Sequence, residues 1–337
     1  MGRALKKVGL KAVAAKAGVS VATVSYVMTG QGRVSPGTRD LVLRAADELG
    51  FVRNEAAANL RSGQSRLIGV IINNITNPFF SSLVSELETT AYREGFLTLL
   101  ATAQNDLERQ GRLLESMVSQ AVGAIILSPV HDTHPDDLKL ATMRGIPIIS
   151  CVRDLPDCPV SFVGADDERS GYLAGRAVIR AGNCAAVLVG GYKRTTTYEG
   201  RRKGLIRAFS EAGLPRDACM FRPGPITPEY GAQVLGDMVA EGLGGRAVIC
   251  FNDGIAMGVY EAAQAAGLAV GVDLSVISFD NARVSSVLSP GLTTIDIFPG
   301  RIGAIAAERA AAMARGDDTT RTRDQLEPVL IERHSII

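Results

Sequence analysis

The chain has 337 residues, 46% of them hydrophobic and 21% charged, enough apolar material for two or three domains with ordinary cores and no need of disulfide staples. The net charge of +1 hides an asymmetry: residues 1–66 carry eleven Lys/Arg against four Asp/Glu, a net of +7, and the rest is net −6. A basic arm on an acidic body points to a polyanionic partner for the first segment alone. No run of eighteen apolar residues suggests a membrane span, and the basic N-terminus lacks the long apolar stretch of a secretory signal. A cytoplasmic protein is therefore expected. Five cysteines without a CxxC pair, and three histidines, argue for reduced core thiols and against a metal site.

In chain order, the first fifty residues predict three short helices. Leu10, Val13 and Ala14 form an i, i+3, i+4 stripe that ends at Gly18. Ser20 is placed to cap a second helix from Val21 to about Met28. Ser35-Pro36 opens a third, in which Leu41, Ala45 and Leu49 recur every four residues before Gly50. The first two helices have the spacing of a helix-turn-helix: Gly18 permits the left-handed turn, and Ala14 allows close packing. The second helix would enter a major groove by its N-terminus. Ser20 would then meet a phosphate, Val21 and Ala22 base edges, and Tyr26 would follow one turn later, with Thr23 and Ser25 on the same element. Residues 54–65 are short, Ala-rich and polar-flanked, and are expected to form a linker.

From residue 67 onward, apolar runs alternate with amphipathic stretches. Strands are expected at 67–72, 97–102, 124–127 and 147–150, then at 185–191, 247–251, 275–279 and 293–298. Helices are expected at 80–94, 107–121, 169–182, 198–213, 228–241, 254–267 and 300–315. Such alternation predicts two doubly wound parallel sheets, each covered on both faces, with a ligand cleft between them at the strands' carboxyl ends.

The residues 13–27 (VAxxAGVSxATVSxV), 34–51 (VSPGTRDLVLRAADELGF), Asn54, Ala57, Leu60-Arg61 and 66–80 (RLIGVIINNITNPFF) carry a resemblance. In order and spacing the chain resembles the lactose-repressor/galactose-repressor (LacI/GalR) family along essentially its whole length. The resemblance implies an N-terminal all-α helix-turn-helix headpiece (1–53) and a hinge helix (54–65). It also implies an α/β two-lobed, periplasmic-binding-protein-like effector and dimerisation domain (66–337). The N-lobe would hold about 66–167 and 297–325, and the C-lobe about 168–296 and 326–337. The hinge would fold on DNA and lie in the minor groove through Asn54, Ala57, Leu60 and Arg61, with Leu60 wedged between central base pairs. Gly9 stands where a Ser or Thr cap is common. Tyr26 stands where an arginine is frequent, so base reading would lean on thymine methyls and DNA shape.

The same resemblance implies effector contacts from Phe79, Phe80, Ser128, Arg153, Arg201, Asn252, Asp253 and Asp280, with Asp166 structural. Arginine supplies paired donors and aspartate accepts two hydroxyls, which suits a sugar or another small polar molecule. Asp253 and Asp280 have a plainer alternative as helix caps, and Arg201 as part of a solvated Arg-Arg-Lys run. Val152 stands where many members have Asp, and Ile297 and Phe298 where Gln-Pro is common. Phe79, Phe251 or Tyr198 would replace an absent stacking Trp. A pocket with fewer polar groups than usual is implied.

The expected protein is a sequence-specific transcriptional regulator, a repressor, binding a pseudo-palindromic operator as a homodimer or tetramer under control of a small effector, without cofactor or metal. A solute-binding protein of the same two-lobed fold is the alternative; the basic headpiece and the missing signal peptide speak against it. An enzyme is not expected: no P-loop or GxSxG occurs, Gly190-Gly191 is too weak a nucleotide signal, and His131, His134 and His334 have no Ser or Cys nucleophile beside them.

Overall fold

The computed structural model describes residues 8–30, 32–51, 65–243, 246–317 and 320–336. The chain divides into two compact units, Met1–Gly63 and Gln64–Ile337.

In the first unit three helices, α1 (Leu10–Ala17), α2 (Val21–Thr29) and α3 (Pro36–Glu48), enclose Val13, Ala14, Val24, Val27, Val42, Ala45 and Ala46. None of these exceeds valine in size, so the buried area is small and the termini matter. Gly18 takes φ +66°, where a side chain is disfavoured, and the chain bends by 106° between α1 and α2. Ser20 Oγ accepts from Thr23 N at 3.0 Å and Ser35 Oγ from Thr38 N at 3.3 Å. Each such cap is worth about 1 kcal/mol. Gly9 begins α1 without a side-chain cap. One expectation fails: Leu41 is exposed, and the inward stripe of α3 is Val42, Ala45, Ala46 and half-buried Leu49. The face therefore starts one residue later than the four-residue spacing of leucines and alanine suggested.

The second unit contains two six-stranded sheets. The N-lobe sheet has the order β11-β5-β4-β3-β1-β2, from β1 (Leu67–Ile72), β2 (Leu97–Thr102), β3 (Ala124–Leu127), β4 (Ile148–Cys151), β5 (Ser161–Ala165) and β11 (Arg323–Leu326), all parallel. The C-lobe sheet has the order β12-β10-β9-β8-β6-β7, from β6 (Ala186–Val189), β7 (Cys219–Arg222), β8 (Ala247–Cys250), β9 (Val276–Phe279), β10 (Thr293–Asp296) and β12 (Val329–Ile331). Only β12 runs antiparallel to its neighbour there. Helices α4 (Pro78–Arg93), α5 (Leu107–Ser119), α6 (Lys139–Met143) and α12 (Pro299–Arg315) belong with the first sheet. Helices α7 (Asp167–Arg180), α8 (Thr196–Glu211), α9 (Pro228–Ala240), α10 (Asp253–Ala265) and α11 (Arg283–Val287) belong with the second. The chain thus passes between lobes three times: after β5, after β10, and between β11 and β12.

The interior strands are uniformly buried, as parallel strands covered on both faces must be. Strand β2 departs from that expectation. It lies at the sheet edge, and Leu97, Leu99 and Leu100 are exposed despite an apolar sequence. Four strands have no counterpart among the expected ones: β5, β7, β11 and β12. Of these, β7, β11 and β12 are short edge strands, and β11 (RDQL) is polar, so no apolar run announced them. The cysteines are free thiols; four are buried, but Cys184 is exposed rather than in the core. Among the described residues no single helix is long and apolar enough to cross a membrane, and no His/Cys/Asp/Glu group could hold a metal ion.

Candidate DNA-reading face and interlobe cleft

Helix α2 buries Val24 and Val27 and turns Val21, Ala22 and Tyr26 outward, with Val21 41% and Tyr26 52% exposed. Thr23 and Ser25 are half-buried, and Ser20 is exposed at the N-cap. A plain core helix would not leave a tyrosine, a valine and the orphan N–H groups of its first turn on one open face. Gly32, at φ +85°, lies against the Tyr26 ring; a Cβ there would come within 3.1 Å of Tyr26 Cγ. Lys16 pairs with Glu48 at 2.5 Å, tying α1 to α3 at the surface, while Lys11, Arg33 and Arg44 remain exposed cations. Asn54, Ala57, Leu60 and Arg61 lie outside the described residues.

In the second unit, the expected effector residues gather at the carboxyl ends of the strands. So do most of the non-glycine residues held at positive φ: Gln104 and Asn105 after β2, Asp132 after β3, Val152 after β4, Arg194 after β6, Asp280 and Asn281 after β9, and Phe298 after β10. Strained backbone concentrated on one rim of two sheets is characteristic of a binding site positioned by a rigid scaffold.

Arg201, on α8, is no solvated-face residue: its side chain is 4% exposed. Its Nε donates to Asp167 Oδ1 at 3.0 Å and its Nη1 to the Phe251 carbonyl at 2.7 Å. The guanidinium is sandwiched with ring centroids at 4.4 Å (Phe251) and 4.2 Å (Phe279). Burial raises the Asp167 carboxyl to about 6 even against the pull of Arg201.

Asp280 sits at φ +108° after β9, with no side-chain hydrogen bond among the described residues. Burial pushes its carboxyl well above the ordinary range, and Asp253, Asp167 and Asp296 add to this against the opposing pull of Arg201. Asp253 is different. Ser278 Oγ donates to it, as do Ala282 N at 2.6 Å and Thr294 Oγ1 at 3.0 Å. Its lone pairs tie β9, β10 and the following loop together, which is a structural task rather than a cap. The cap of α10 is Asn252, whose Oδ1 accepts from Ile255 N at 2.9 Å. Asp166 caps α7, accepting from Arg169 N at 2.8 Å. Asp280 caps no helix.

From the N-lobe, Phe79 borders a cavity of about 310 Å³ that also reaches Asp280, Asn281, Asp296, Phe298 and Arg301. Phe80 instead packs edge-on to Phe79 in the core. Tyr198 is 2% exposed beneath Phe251 and offers no stacking surface, so it does not stand in for the absent tryptophan. Gly190-Gly191 is a packing requirement: a Cβ on Gly191 would lie 2.7 Å from the Phe251 ring. Ser128, fully buried at the end of β3, is held by Asn73 Nδ2 at 3.2 Å. Arg153, after β4, donates through Nη1 to Asn105 Oδ1 at 3.1 Å and to the Pro129 carbonyl at 3.0 Å. Burial lowers its pKa to about 10. Its guanidinium lies 5.7 Å from the Tyr192 ring centroid, and Tyr192 stacks on His131 at 5.1 Å.

Sequence reasoning missed Asp167, Phe279, Asn73, Asn105 and the His131–Tyr192 stack. Asp167 sat in an acidic run with nothing to separate it from Asp166 beside it, and the stack joins residues 61 positions apart.

A two-lobed sheet pair with a polar interlobe rim, together with a separate helix-turn-helix unit, defines a ligand-responsive DNA-binding protein. Residues 9–54 match the model of the bacterial regulatory proteins of the lacI family, and residues 176–336 that of the periplasmic binding protein-like domain. The transcriptional regulator DegA of Bacillus subtilis is 30% identical over 325 residues, spanning 96% of both chains. The transcriptional repressor PurR of Pasteurella multocida is 31% identical over 329 residues, spanning 97% of this chain and 98% of its own. The lac repressor dimer bound to operator and an anti-inducer superposes with a TM-score of 0.85 at 25% identity, covering 98% of this chain and 99% of that one. The regulator CelR in complex with cellobiose has a TM-score of 0.73 at 26% identity, covering 97% and 99%. The chain belongs to the lacI family. It is a DNA-binding transcriptional regulator with an effector-binding domain.

Proposed function

We propose that the chain is a cytoplasmic, homodimeric repressor without catalytic activity, and that a small hydroxylated effector bound between the lobes sets its affinity for a pseudo-palindromic operator. The observation that carries the cleft assignment is an inventory of unmet hydrogen bonds. Among the described residues, two buried side-chain polar atoms lack a partner, Asn73 Oδ1 and His131 Nδ1. Both follow the carboxyl ends of N-lobe strands, β1 and β3, and the unbonded Asp280 carboxylate follows a C-lobe strand. Leaving such groups unpaired costs about 1–3 kcal/mol each, a cost that ligand hydroxyls would remove. A ligand bonded to both lobes at once prefers one closure of the cleft, and that preference is all that is needed to shift operator affinity.

DNA reading falls to Ser20, Val21, Ala22, Thr23, Ser25 and Tyr26, with the hinge residues Asn54, Ala57, Leu60 and Arg61 in the minor groove. The dimer supplies two half-site readers. The exposed edge residues Leu97, Leu99 and Leu100 with neighbouring Tyr92 offer apolar surface for the second copy. The relatives' regulatory roles support this over catalysis, and the headpiece supports it over solute transport.

The test is a gel shift on the chain's own promoter region across a salt series, followed by an effector screen on the Asp280→Asn variant. Steeply salt-dependent binding to a palindromic fragment is expected, with effector response lost in the variant. Binding that ignores salt, or a response that survives the variant, refutes the corresponding half of the assignment. Arg201→Ala is the poorer probe, because it strips the partner from buried Asp167.

A further inference from the structure

Among the described residues, Arg153 is a buried cation of the cleft with no ion-pair partner. It is 8% exposed, and its Nη1 protons go to an amide oxygen and a backbone carbonyl, both neutral. Among the described residues no carboxylate forms an ion pair with it, and no hydrogen bond engages its Nε or Nη2. Of the acids that border the same cavity, Asp154 pairs with Arg323 and accepts from the Leu155 N–H, Asp132 pairs with Arg194 at 3.5 Å, and Asp157 is exposed to solvent and forms no ion pair with Arg153. Val152 beside it is uncharged. The residue borders a cavity of about 210 Å³ that takes Pro129 to Pro135 and Asp154 to Cys158 from the N-lobe and Arg194 to Thr196 from the C-lobe. His131, with its unpartnered Nδ1, borders the same cavity.

A buried guanidinium without a counter-charge is costly, and the cost disappears when an oxyanion meets its free edge. Guanidinium has the planar fork that carboxylates and phosphates accept with paired hydrogen bonds. An Nδ1 that carries its proton adds a second kind of donor to the same anion. Asp280 borders the other cavity, of about 310 Å³, so the anion site is that of the Arg153 cavity alone. We infer that the effector is an acidic carbohydrate, a sugar acid or a sugar phosphate, bound with its oxyanion on Arg153. This rests on the interlobe effector site proposed above.

The experiment is titration calorimetry on the full chain with matched pairs: D-glucuronate and D-glucose, D-galacturonate and D-galactose, D-ribose 5-phosphate and D-ribose, D-glucose 6-phosphate and D-glucose. At least one acid should bind about tenfold or more tightly than its neutral partner, and the pairs separate carboxylate from phosphate. Arg153→Gln should remove that preference, weakening the acid about tenfold more than its neutral partner; Arg153→Lys, which keeps the charge but not the fork, should fall between. A neutral sugar that binds as well as its acid overturns the inference, as does a preference that survives Arg153→Gln, or a panel in which no acid binds at 10 mM, on the order of ten-thousandfold above a micromolar constant. Neutral binding that depends on Asp280 but not on Arg153 sinks the anion and keeps the cleft. Binding that ignores both residues sinks the cleft as well. Unfolding curves for each variant exclude loss of fold as the cause.

Discussion

The two lobes share a strand order but solve the problem of a buried arginine in opposite ways. In the C-lobe, Arg201 has Asp167 at 3.0 Å, Phe251 and Phe279 on its faces, and the field of Asp280. In the N-lobe, Arg153 has Asn105, a carbonyl and one ring at 5.7 Å. The C-lobe thus carries more acid than its arginine needs, and the N-lobe carries an arginine with no acid. A ligand oxyanion on Arg153 corrects the second imbalance. The lesson is that duplicated topology fixes where side chains stand, while the charge each lobe lacks tells what should lie between them.

The largest expected effect tests this asymmetry directly. Arg201→Met should destabilise the ligand-free protein by about 3–5 kcal/mol, because Asp167 is left buried without its partner. Arg153→Met should change stability by no more than about 1 kcal/mol, since two neutral hydrogen bonds are exchanged for the relief of an unpaired charge. Denaturant unfolding of both variants measures the difference. Equal losses would mean that Arg153 is as well neutralised as Arg201, and the contrast between the lobes would vanish.

Next in size is Asp280→Asn. The substitution removes a buried carboxylate with no hydrogen bond and should stabilise the ligand-free protein by about 1–2 kcal/mol at pH 8. The pH dependence has a definite sign. Unfolded aspartate releases its proton near pH 4. Folded Asp167 and Asp253 release theirs at about 6, and folded Asp280 well above its ordinary value. Between these limits the folded state holds more protons, so stability falls as pH rises from about 4 through 6 and beyond. Asn at 280 removes its share, so the variant's advantage should grow between pH 5 and pH 8. A constant advantage across that range would show that Asp280 titrates normally. The groups facing it, Arg201, Asp253, Asp167 and Asp296, would then need a different arrangement.

Much of this architecture was legible in the amino acids. The apolar runs at 67–72 and 124–127 coincide with β1 and β3, because a strand buried on both faces has to be apolar throughout; the run at 97–102 coincides with β2 although its leucines lie exposed at the sheet edge. Ser20, Gly18 and Ser35-Pro36 announced helix ends because caps are local chemistry. Edge strands such as β11 escaped, being defined by a neighbour's hydrogen bonds rather than by their own residues. In the cleft, Arg201 and Asp280 came from resemblance, but their surroundings did not. Nothing near Asp253 in the chain reveals that Ser278 and Thr294 saturate it, and nothing near Arg153 reveals that no acid reaches it. Pairing is a property of the folded whole, and so is its absence.

A further small effect concerns the neutral partner of the N-lobe arginine. Asn105, at φ +57° after β2, offers Arg153 an amide oxygen at 3.1 Å. Asn105→Ala should cost about 1–2 kcal/mol, the worth of one hydrogen bond to a charged donor together with the left-handed strain that alanine bears less well than asparagine. Because the Arg153 guanidinium then loses half of its Nη1 contacts, binding of the acidic probes should tighten or stay level while the ligand-free protein weakens. The same substitution logic applied to the C-lobe, Asp167→Asn, removes a charged partner and should cost more than Asn105→Ala at pH 8. Paired unfolding curves at that pH give the order directly. The reverse order would assign the stronger electrostatic anchor to the N-lobe and undo the reading of its arginine as the group waiting for a ligand's charge.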